Sequence, residues 1–391
     1  MVGRDSTDWL PTAFRTHTLG EITISGSELI GKEVTVAGHA EISRGRGGVC
    51  FLTLRDGTGH LQAFLKKDAM DEEIFLSVQS ISRESTVQII GKVAQKRPPK
   101  VPEGEPLPPP EYEIFATSAQ ILSEAQTPLP LGITDKVNVE LDTRLDNRHL
   151  DLRRGHVNAM FQLRSKVLSY GREHLLKEGF QEINTPKIIA SASEGGTNLF
   201  AMTYFETPAF LSQSPQLYKQ LAILGGLERV FEIGPAFRAE EHDTYRHLNE
   251  FISFDIEMAW ADDEDVMGVQ ERMIHHIWSQ VAAKDQHLID IINEYRTSQE
   301  MEAISVVVPS IPFPRVSYDE AIKIIQSKGG QIEWGDDISA SDADLIAEEH
   351  PGFHFIPRWP MEMKPFYIYH NKDEKGSTGK QLSRGFDLNY G

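Results

Sequence analysis

The sequence has a single cysteine, Cys50, in 391 residues, and it has no long uninterrupted apolar segment. One cysteine cannot form an internal disulfide or a cysteine-based metal cluster, which favours a reducing compartment. No segment approaches the ~20 apolar residues that a membrane-spanning helix needs, and the N-terminal segment lacks the apolar core of a secretory signal. No internal repeat is visible either. We therefore predict a cytoplasmic protein without a disulfide framework.

Basic residues are outnumbered by acidic ones, and the net charge is −19. The charge is distributed unevenly, because residues 32–100 carry eleven Lys and Arg against eight Asp and Glu, a net charge of +3, whereas the remainder carries −22. A chain of this length usually forms two or three domains. A mildly basic module joined to an acidic body is compatible with a local nucleic-acid contact, although chance variation in surface charge explains it equally well.

The first third of the chain has a strand pattern. Residues 33–39, 50–55, 60–65 and 85–93 are short alternating segments separated by turns rich in Gly and Asp. This pattern predicts a small β-barrel. Residues 98–110 contain seven prolines and are expected to be extended and irregular, after which the strand pattern returns at 112–122.

The periodicity changes to that of helices from about residue 157. Apolar spacing of three and four residues predicts a helix that ends at Gly179, a helix over 264–299 and another over 318–328. Between these helices, residues 230–240 and 249–260 predict a hairpin. Alternation in its second strand assigns Ile252, Phe254, Ile256, Met258 and Trp260 to a core face, and Phe251, Ser253, Asp255 and Glu257 to the opposite face.

The hairpin also carries a group of basic residues. Arg238, Arg246 and His247 together can hold a polyanion such as a triphosphate, because the planar guanidinium binds phosphate oxygens in pairs. Phe251 can stack a base, and Glu240 can accept a hydrogen bond from an exocyclic amine. The alternative is a solvated charged hairpin with surface ion pairs.

Several longer segments resemble one protein family. The string FEIGPAFRAEEHDTYRHLNEFISFDIEMAW resembles motif 2 of class II aminoacyl-tRNA synthetases, and GFQEINTP resembles motif 1. FLSQSPQLYKQ resembles the amino-acid-binding loop of the aspartyl enzymes, and RLDNRHLDLR resembles the junction between their two domains. With the barrel, the resemblance to the archaeal and eukaryotic aspartyl-tRNA synthetases covers nearly the whole chain.

This resemblance implies an α+β fold in two domains. It implies an OB-fold anticodon-binding domain over residues 1–125, a hinge over 126–156, and a class II catalytic domain over 157–391. The catalytic domain is expected to contain a mostly antiparallel sheet flanked by helices.

The resemblance also implies roles for individual residues. Arg238 would hold the ATP α-phosphate and the amino-acid carboxylate, and Lys219 would face the side-chain carboxylate of aspartate. Glu194 would contact the substrate ammonium. The complete implied set for ATP is Arg238, Ala239, Glu240, Arg246, His247, Leu248 and Phe251; the set for aspartate is Glu194, Gln216, Leu217, Tyr218, Lys219 and Arg238.

In the barrel, Phe51 and Gln62 match the residues that stack on and read an anticodon base, and Arg44 and Arg46 would contact the RNA backbone. Without the resemblance, the preferred interpretation of Phe51 is a buried barrel residue, and a charged surface loop without a function explains the two arginines equally well. Pro186 would lie at the interface of a homodimer, although the helix before it can also be ordinary core.

The chain ends at SRGFDLNYG. In the family this strand precedes the Mg²⁺ ligands, an arginine for the aspartate side chain and motif 3. We therefore expect no metal ligand within the chain, a sheet without its last strand and helix, and no aspartyl-adenylate formation by residues 1–391 alone.

The function implied is the ATP- and Mg²⁺-dependent attachment of L-aspartate to tRNA(Asp), with charging of tRNA(Asn) left open. One alternative is an asparaginyl-tRNA synthetase relative. Lys219 argues against it, because asparaginyl relatives usually have leucine there, and HLNEF at 247–251 also resembles the aspartyl type. The other alternative is a non-catalytic tRNA-binding paralogue, which the intact ATP and amino-acid residues disfavour.

Overall fold

The computed structural model describes residues 11–98, 108–133, 138–191, 199–239 and 248–391. The chain divides into two compact units, Met1–Arg154 and Gly155–Gly391, which are described separately. Residues 138–154, which the sequence assigned to the hinge, group with the first unit. Within the described ranges, no helix is both long and apolar enough to cross a membrane.

The first unit is a closed five-stranded barrel, whose strands pair in the order β1 (Glu33–Arg46), β2 (Val49–Arg55), β3 (His60–Lys66), β5 (Tyr112–Ser123) and β4 (Thr86–Gln95). The predicted strands are all present, and β1 continues beyond the predicted segment into a long hairpin with β2. In chain order the elements are α1 (Leu19–Leu29), β1 (Glu33–Arg46), β2 (Val49–Arg55), β3 (His60–Lys66), α2 (Glu72–Gln79), β4 (Thr86–Gln95), β5 (Tyr112–Ser123), α3 (Leu141–Asp146) and α4 (Arg148–Asp151).

The barrel core follows the alternation of the strands. Leu52 and Leu54 on β2 point inward and are fully buried, so Phe51 and Thr53 point outward. The helix α1, which the sequence analysis did not predict, is started by a capping box between Thr18 and Glu21, and it buries its apolar side against the barrel.

The second unit contains long helices and several small sheets. Its elements are α5 (Gly155–Lys177), β6 (Gln181–Glu182), β7 (Ile188–Ile189), β8 (Ala201–Tyr204), β9 (Thr207–Leu211), α6 (Gln216–Leu224), β10 (Arg229–Phe237), β11 (Glu250–Met258), α7 (Asp263–Lys284), α8 (Gln286–Ser298), α9 (Tyr318–Ser327), α10 (Ala340–Ala347), β12 (Phe353–Pro357), β13 (His370–Lys375), β14 (Gln381–Ser383) and β15 (Phe386–Tyr390).

The predicted hairpin is present as β10 and β11. The two strands pair antiparallel, and β6 adds to β10 in parallel. The core face of the hairpin packs on α5 and α7 residues through Phe231, Phe254, Ile256 and Met258. Of the residues assigned to that face, Ile252 is 39% exposed.

Two predictions about this unit were wrong. Trp260 is 90% exposed, because it lies beyond the end of β11 at a positive φ of 57° and no longer follows the alternation of the strand. The helix predicted over 264–299 is two helices, which break at Asp285. The side chain of Asp285 accepts a hydrogen bond from the Tyr170 hydroxyl at 2.5 Å, a tertiary contact that fixes the break.

Candidate functional site

One face of the β10–β11 hairpin is polar, and it gathers several of the predicted site residues. Ala236 lies opposite Phe251 in the register, and Glu232 lies opposite Asp255. Because side chains alternate along each strand, these residues and Glu257 share the face that points away from the apolar cluster. The alternation predicted for β11 is confirmed for this face.

A cation and an aromatic ring lie at one end of this face. The Arg238 backbone N–H donates to the Asn249 carbonyl at 3.0 Å, which extends the pairing beyond β10. The Arg238 guanidinium carbon is 5.4 Å from the centroid of the Phe251 ring, a cation–π distance. Both side chains are half-buried. In this arrangement a planar base can stack on the Phe251 ring while the Arg238 guanidinium binds an anionic group.

A buried ammonium group lies further along the same face. Lys219 projects from α6, and its side chain is 5% exposed. Its Nζ lies 3.1 Å from Asp255 Oδ1, 3.1 Å from the Ile256 carbonyl oxygen and 3.7 Å from Glu257 Oε2. Gln216, one turn earlier on α6, has its Nε2 3.4 Å from Glu257 Oε2.

The surroundings of Lys219 affect the neighbouring carboxyl groups. Burial raises the pKa of Glu257 above its usual value, and the Lys219 charge opposes this shift. The predominantly acidic surroundings hold the Lys219 ammonium in place. An ammonium carries three N–H donors, and two of them are used here at hydrogen-bond distance, on Asp255 and on the Ile256 carbonyl. The third donor, on the side of Glu257, is the one that a carboxylate oxygen of a small molecule could engage.

A second buried ion pair supports the sheet near the site. Glu232 is 3% exposed and accepts hydrogen bonds from the Thr185 backbone N–H at 2.9 Å and the Thr185 hydroxyl at 2.7 Å. Lys187 Nζ lies 3.0 Å from Glu232 Oε2. These contacts hold the segment between β6 and β7 against β10. The sequence analysis missed Glu232 and Lys187, since nothing in the local sequence pairs them.

The other predicted site residues have varied environments. Pro186 is exposed between β6 and β7, and Leu248 is 59% exposed. Leu217, Tyr218 and Ala239 are half-buried. Four predicted residues lie outside the described residues: Glu194, Glu240, Arg246 and His247. Across the part of the chain that the structure describes, no three His, Cys, Asp or Glu side chains are grouped as a metal site would require.

The barrel carries an aromatic outer face. Phe51 is 40% exposed and points away from the core, so the reading of Phe51 as a buried barrel residue is wrong. Its ring centroid is 4.9 Å from that of Phe64, which in turn is 4.9 Å from that of Phe115. Arg44 lies opposite Phe51 on β1 and is exposed, as is Arg46 near the hairpin turn. Exposed rings beside basic residues are typical of surfaces that bind single-stranded nucleic acid.

A polar pair adjoins this aromatic row. Gln62 donates from Nε2 to Glu113 Oε2 at 2.7 Å, and Glu113 is 8% exposed. The pair orients the Gln62 amide, whose remaining donor and acceptor positions can meet a base edge. The sequence analysis singled out Phe51 and Gln62 but missed Phe64, Phe115 and Glu113.

Two family models match the chain. The family described as "tRNA synthetases class II (D, K and N)" matches residues 140–391. The family described as "OB-fold nucleic acid binding domain" matches residues 33–122.

Curated relatives and solved structures agree with these matches. The chain is 44% identical to an "Aspartate--tRNA(Asp/Asn) ligase" of Archaeoglobus fulgidus, over 93% of this chain and 79% of that protein. It is 42% identical to a protein of the same name from Methanocaldococcus jannaschii, over 96% and 80%. The structure is similar to asparaginyl-tRNA synthetase from Pyrococcus horikoshii complexed with asparaginyl-adenylate, with a TM-score of 0.76, 32% identity and coverage of 92% and 78%. It is also similar to aspartyl-tRNA synthetase from Entamoeba histolytica, with a TM-score of 0.75, 29% identity and coverage of 99% and 78%.

Proposed function

Because the chain belongs to the class II aminoacyl-tRNA synthetases of the D, K and N group, we propose that it is an aspartate–tRNA ligase. It would activate L-aspartate with ATP to aspartyl-adenylate and then transfer the aspartyl group to the 3′ end of tRNA. The predicted family and its OB-fold module are confirmed by the comparisons, and the enzyme class is that of ligases.

The buried Lys219 ammonium is the observation that supports aspartate, and not asparagine, as the amino-acid substrate. The carboxylate of an aspartate side chain can accept a charge-assisted hydrogen bond from it. The amide of asparagine carries no charge and presents donor hydrogens on one side, so it would bind this ammonium more weakly. Asp255 and Glu257 hold the ammonium in place and would repel a carboxylate that approached in any other orientation.

The polar face of the hairpin would promote the activation of aspartate by positioning the two substrates and by stabilising negative charge on the phosphate. In the activation step, an α-carboxylate oxygen of aspartate attacks the α-phosphorus of ATP, and the bond to the pyrophosphate leaving group breaks. Arg238 would bind the α-phosphate and stabilise its developing charge, while Phe251 would stack the adenine ring. By family resemblance, Glu240 would meet the adenine amine, and Arg246 and His247 would meet the outer phosphates.

Class II synthetases use ATP together with a divalent metal ion, and we propose Mg²⁺ as that ion. When bound, it would neutralise charge on the phosphates. The described residues offer no cluster of three or more His, Cys, Asp or Glu side chains that could hold such an ion.

The barrel would bind the anticodon of tRNA(Asp). Exposed Phe51 would stack one base, Gln62 would read its edge, and Arg44 and Arg46 would contact phosphates. The names of the curated relatives include both tRNA(Asp) and tRNA(Asn), and we propose tRNA(Asn) as a second acceptor. We also propose that the protein acts in the cytoplasm as a homodimer with exposed Pro186 at the interface.

Residues 1–391 alone are expected to form no aspartyl-adenylate, so the test is aminoacylation by a chain that also carries the motif 3 segment of the family, with transcripts of tRNA(Asp) and tRNA(Asn) and with labelled aspartate, asparagine and lysine. We expect aspartate alone to be attached, and to both transcripts. Attachment of asparagine would instead support the asparaginyl alternative. Binding of the transcripts without attachment of any amino acid would support a non-catalytic paralogue.

A further inference from the structure

The outer face of the barrel carries three phenylalanine rings in one row, and only the first belongs to the contact proposed above. Phe51, Phe64 and Phe115 are direct register partners on β2, β3 and β5. Phe51 and Phe115 are 40% and 42% exposed, whereas Phe64 between them is half-buried. The row therefore presents two accessible rings that are separated by a third.

The two accessible rings cannot hold the same base. The plane of Phe51 is tilted by 40° from that of Phe64, and the plane of Phe115 is tilted by 73° from it. The angle between the ring planes of Phe51 and Phe115 is therefore no smaller than the difference between 73° and 40°. Because stacking requires nearly parallel planes, a flat base that stacks on Phe51 cannot also stack on Phe115.

The Phe115 ring is also not needed for the barrel core. Its neighbours on β5, Ile114 and Ala116, are buried in that core, so the alternation of the strand directs Phe115 outward. A single exposed phenylalanine is common on protein surfaces. Its alignment with a second exposed ring across the same face is the feature that points to a ligand with more than one flat group.

The charges around the row are compatible with RNA. Lys66 Nζ lies 5.7 Å from the centroid of the Phe64 ring, and Lys92 lies opposite Phe115 on β4 and is exposed. Glu33 lies opposite Lys92 on β1, so the charge of Lys92 is partly compensated. Lys92 therefore adds little net positive charge beside Phe115.

We propose that Phe115 is a second base-stacking platform of the barrel, and that it takes the nucleotide next to the one stacked on Phe51. This inference rests on the proposed function, because it assumes that an anticodon is bound on this face. Stacking on an aromatic ring tolerates any base. Phe115 therefore contributes affinity, while polar groups such as Gln62 contribute base identity.

The test measures binding of the intact protein to a synthetic anticodon stem-loop of tRNA(Asp) by fluorescence anisotropy. We expect Phe115→Ala to weaken binding by roughly five- to a hundredfold. Phe115→Trp, which keeps a stacking surface, should restore the affinity. Phe115→Leu, which keeps an apolar contact with Phe64, should not. The matched control is Phe14→Ala, which removes a 55% exposed ring of the same unit outside the row and should leave the affinity unchanged.

Stem-loops in which each anticodon base in turn is removed identify the partner of each ring. The loss caused by Phe115→Ala should disappear with one abasic RNA, and the loss caused by Phe51→Ala should disappear with a different one. Cancellation of both losses by the same abasic RNA would overturn the inference, as would binding of Phe115→Ala and Phe115→Leu within twofold of the wild type. A wild type that does not bind the intact stem-loop would instead refute the proposed function itself.

Discussion

Replacement of Lys219 with methionine is the sharpest test of the proposed amino-acid pocket. Methionine has a similar length and an apolar body, so it can occupy the same space on α6 while it removes the ammonium. In the wild type this ammonium lies 3.1 Å from Asp255 Oδ1 and 3.7 Å from Glu257 Oε2. In the variant, an aspartate ligand would bring a third carboxylate close to these two without a cation between them.

The magnitude follows from the burial of the group. Removal of one partner from a buried ion pair costs about 3–5 kcal/mol, because the remaining charge is left without compensation. The side chains of Asp255 and Glu257 are 19% and 25% exposed, so solvent screens part of the repulsion. We therefore expect the lower end of that range, about 3 kcal/mol, which corresponds to a loss of ~10²-fold in affinity.

The assay is isothermal titration of the intact protein with a sulfamoyl analogue of aspartyl-adenylate. The matched control is Lys364→Met in the same unit, since Lys364 is 17% exposed and its Nζ lies 3.2 Å from Asp387 Oδ2. The control should bind the analogue with wild-type affinity. A loss below tenfold for Lys219→Met, with the fold intact by circular dichroism, would refute the assignment of this lysine.

Three further predictions concern other parts of the chain. Phe51→Ala should weaken binding of the anticodon stem-loop by roughly 1–3 kcal/mol while the affinity for the aspartyl analogue stays constant, and equal damage to both would mean that the ring is structural. Glu232→Gln should lower the free energy of unfolding by about 1–3 kcal/mol in urea denaturation, because it removes the charge that pairs with Lys187. The control Glu206→Gln changes an exposed residue and should leave the free energy of unfolding nearly unchanged. Burial lowers the pKa of His354 below its usual value, so the unfolded chain takes up the proton first and stability is lost as the pH falls below about 6.5. His354→Leu should therefore make the thermal midpoint less sensitive between pH 7 and pH 5.5, and an unchanged slope would contradict this.

The strands and the polar hairpin face could be predicted because they depend on local alternation. Buried Leu52 and Leu54 flank outward-facing residues on β2, and Phe251 and Asp255 share one face of β11, as their spacing requires. Local periodicity was sufficient for these elements, since each strand has one apolar side.

The rest depends on contacts between residues that are distant in sequence. The two helices separate at Asp285, which accepts a hydrogen bond from the Tyr170 hydroxyl. The apolar spacing of residues 264–299 contains no information about this contact, so it predicted one continuous helix. The row of three rings exists only because β3 pairs in parallel with β5, which places Phe64 beside Phe115. The half-buried partners of Lys219, Asp255 and Glu257, could likewise be predicted to share a polar face, but the sequence did not predict their contact with α6.

We propose that this chain selects aspartate through the Lys219 ammonium. The most direct measurement is a titration of the wild-type protein with two sulfamoyl-adenosine analogues that differ only in the aspartyl or asparaginyl side chain. We expect the aspartyl analogue to bind at least ~10-fold more tightly, since a hydrogen bond to a charged group contributes roughly 1.5–3 kcal/mol. Equal affinity for the two analogues, or tighter binding of the asparaginyl analogue, would contradict it.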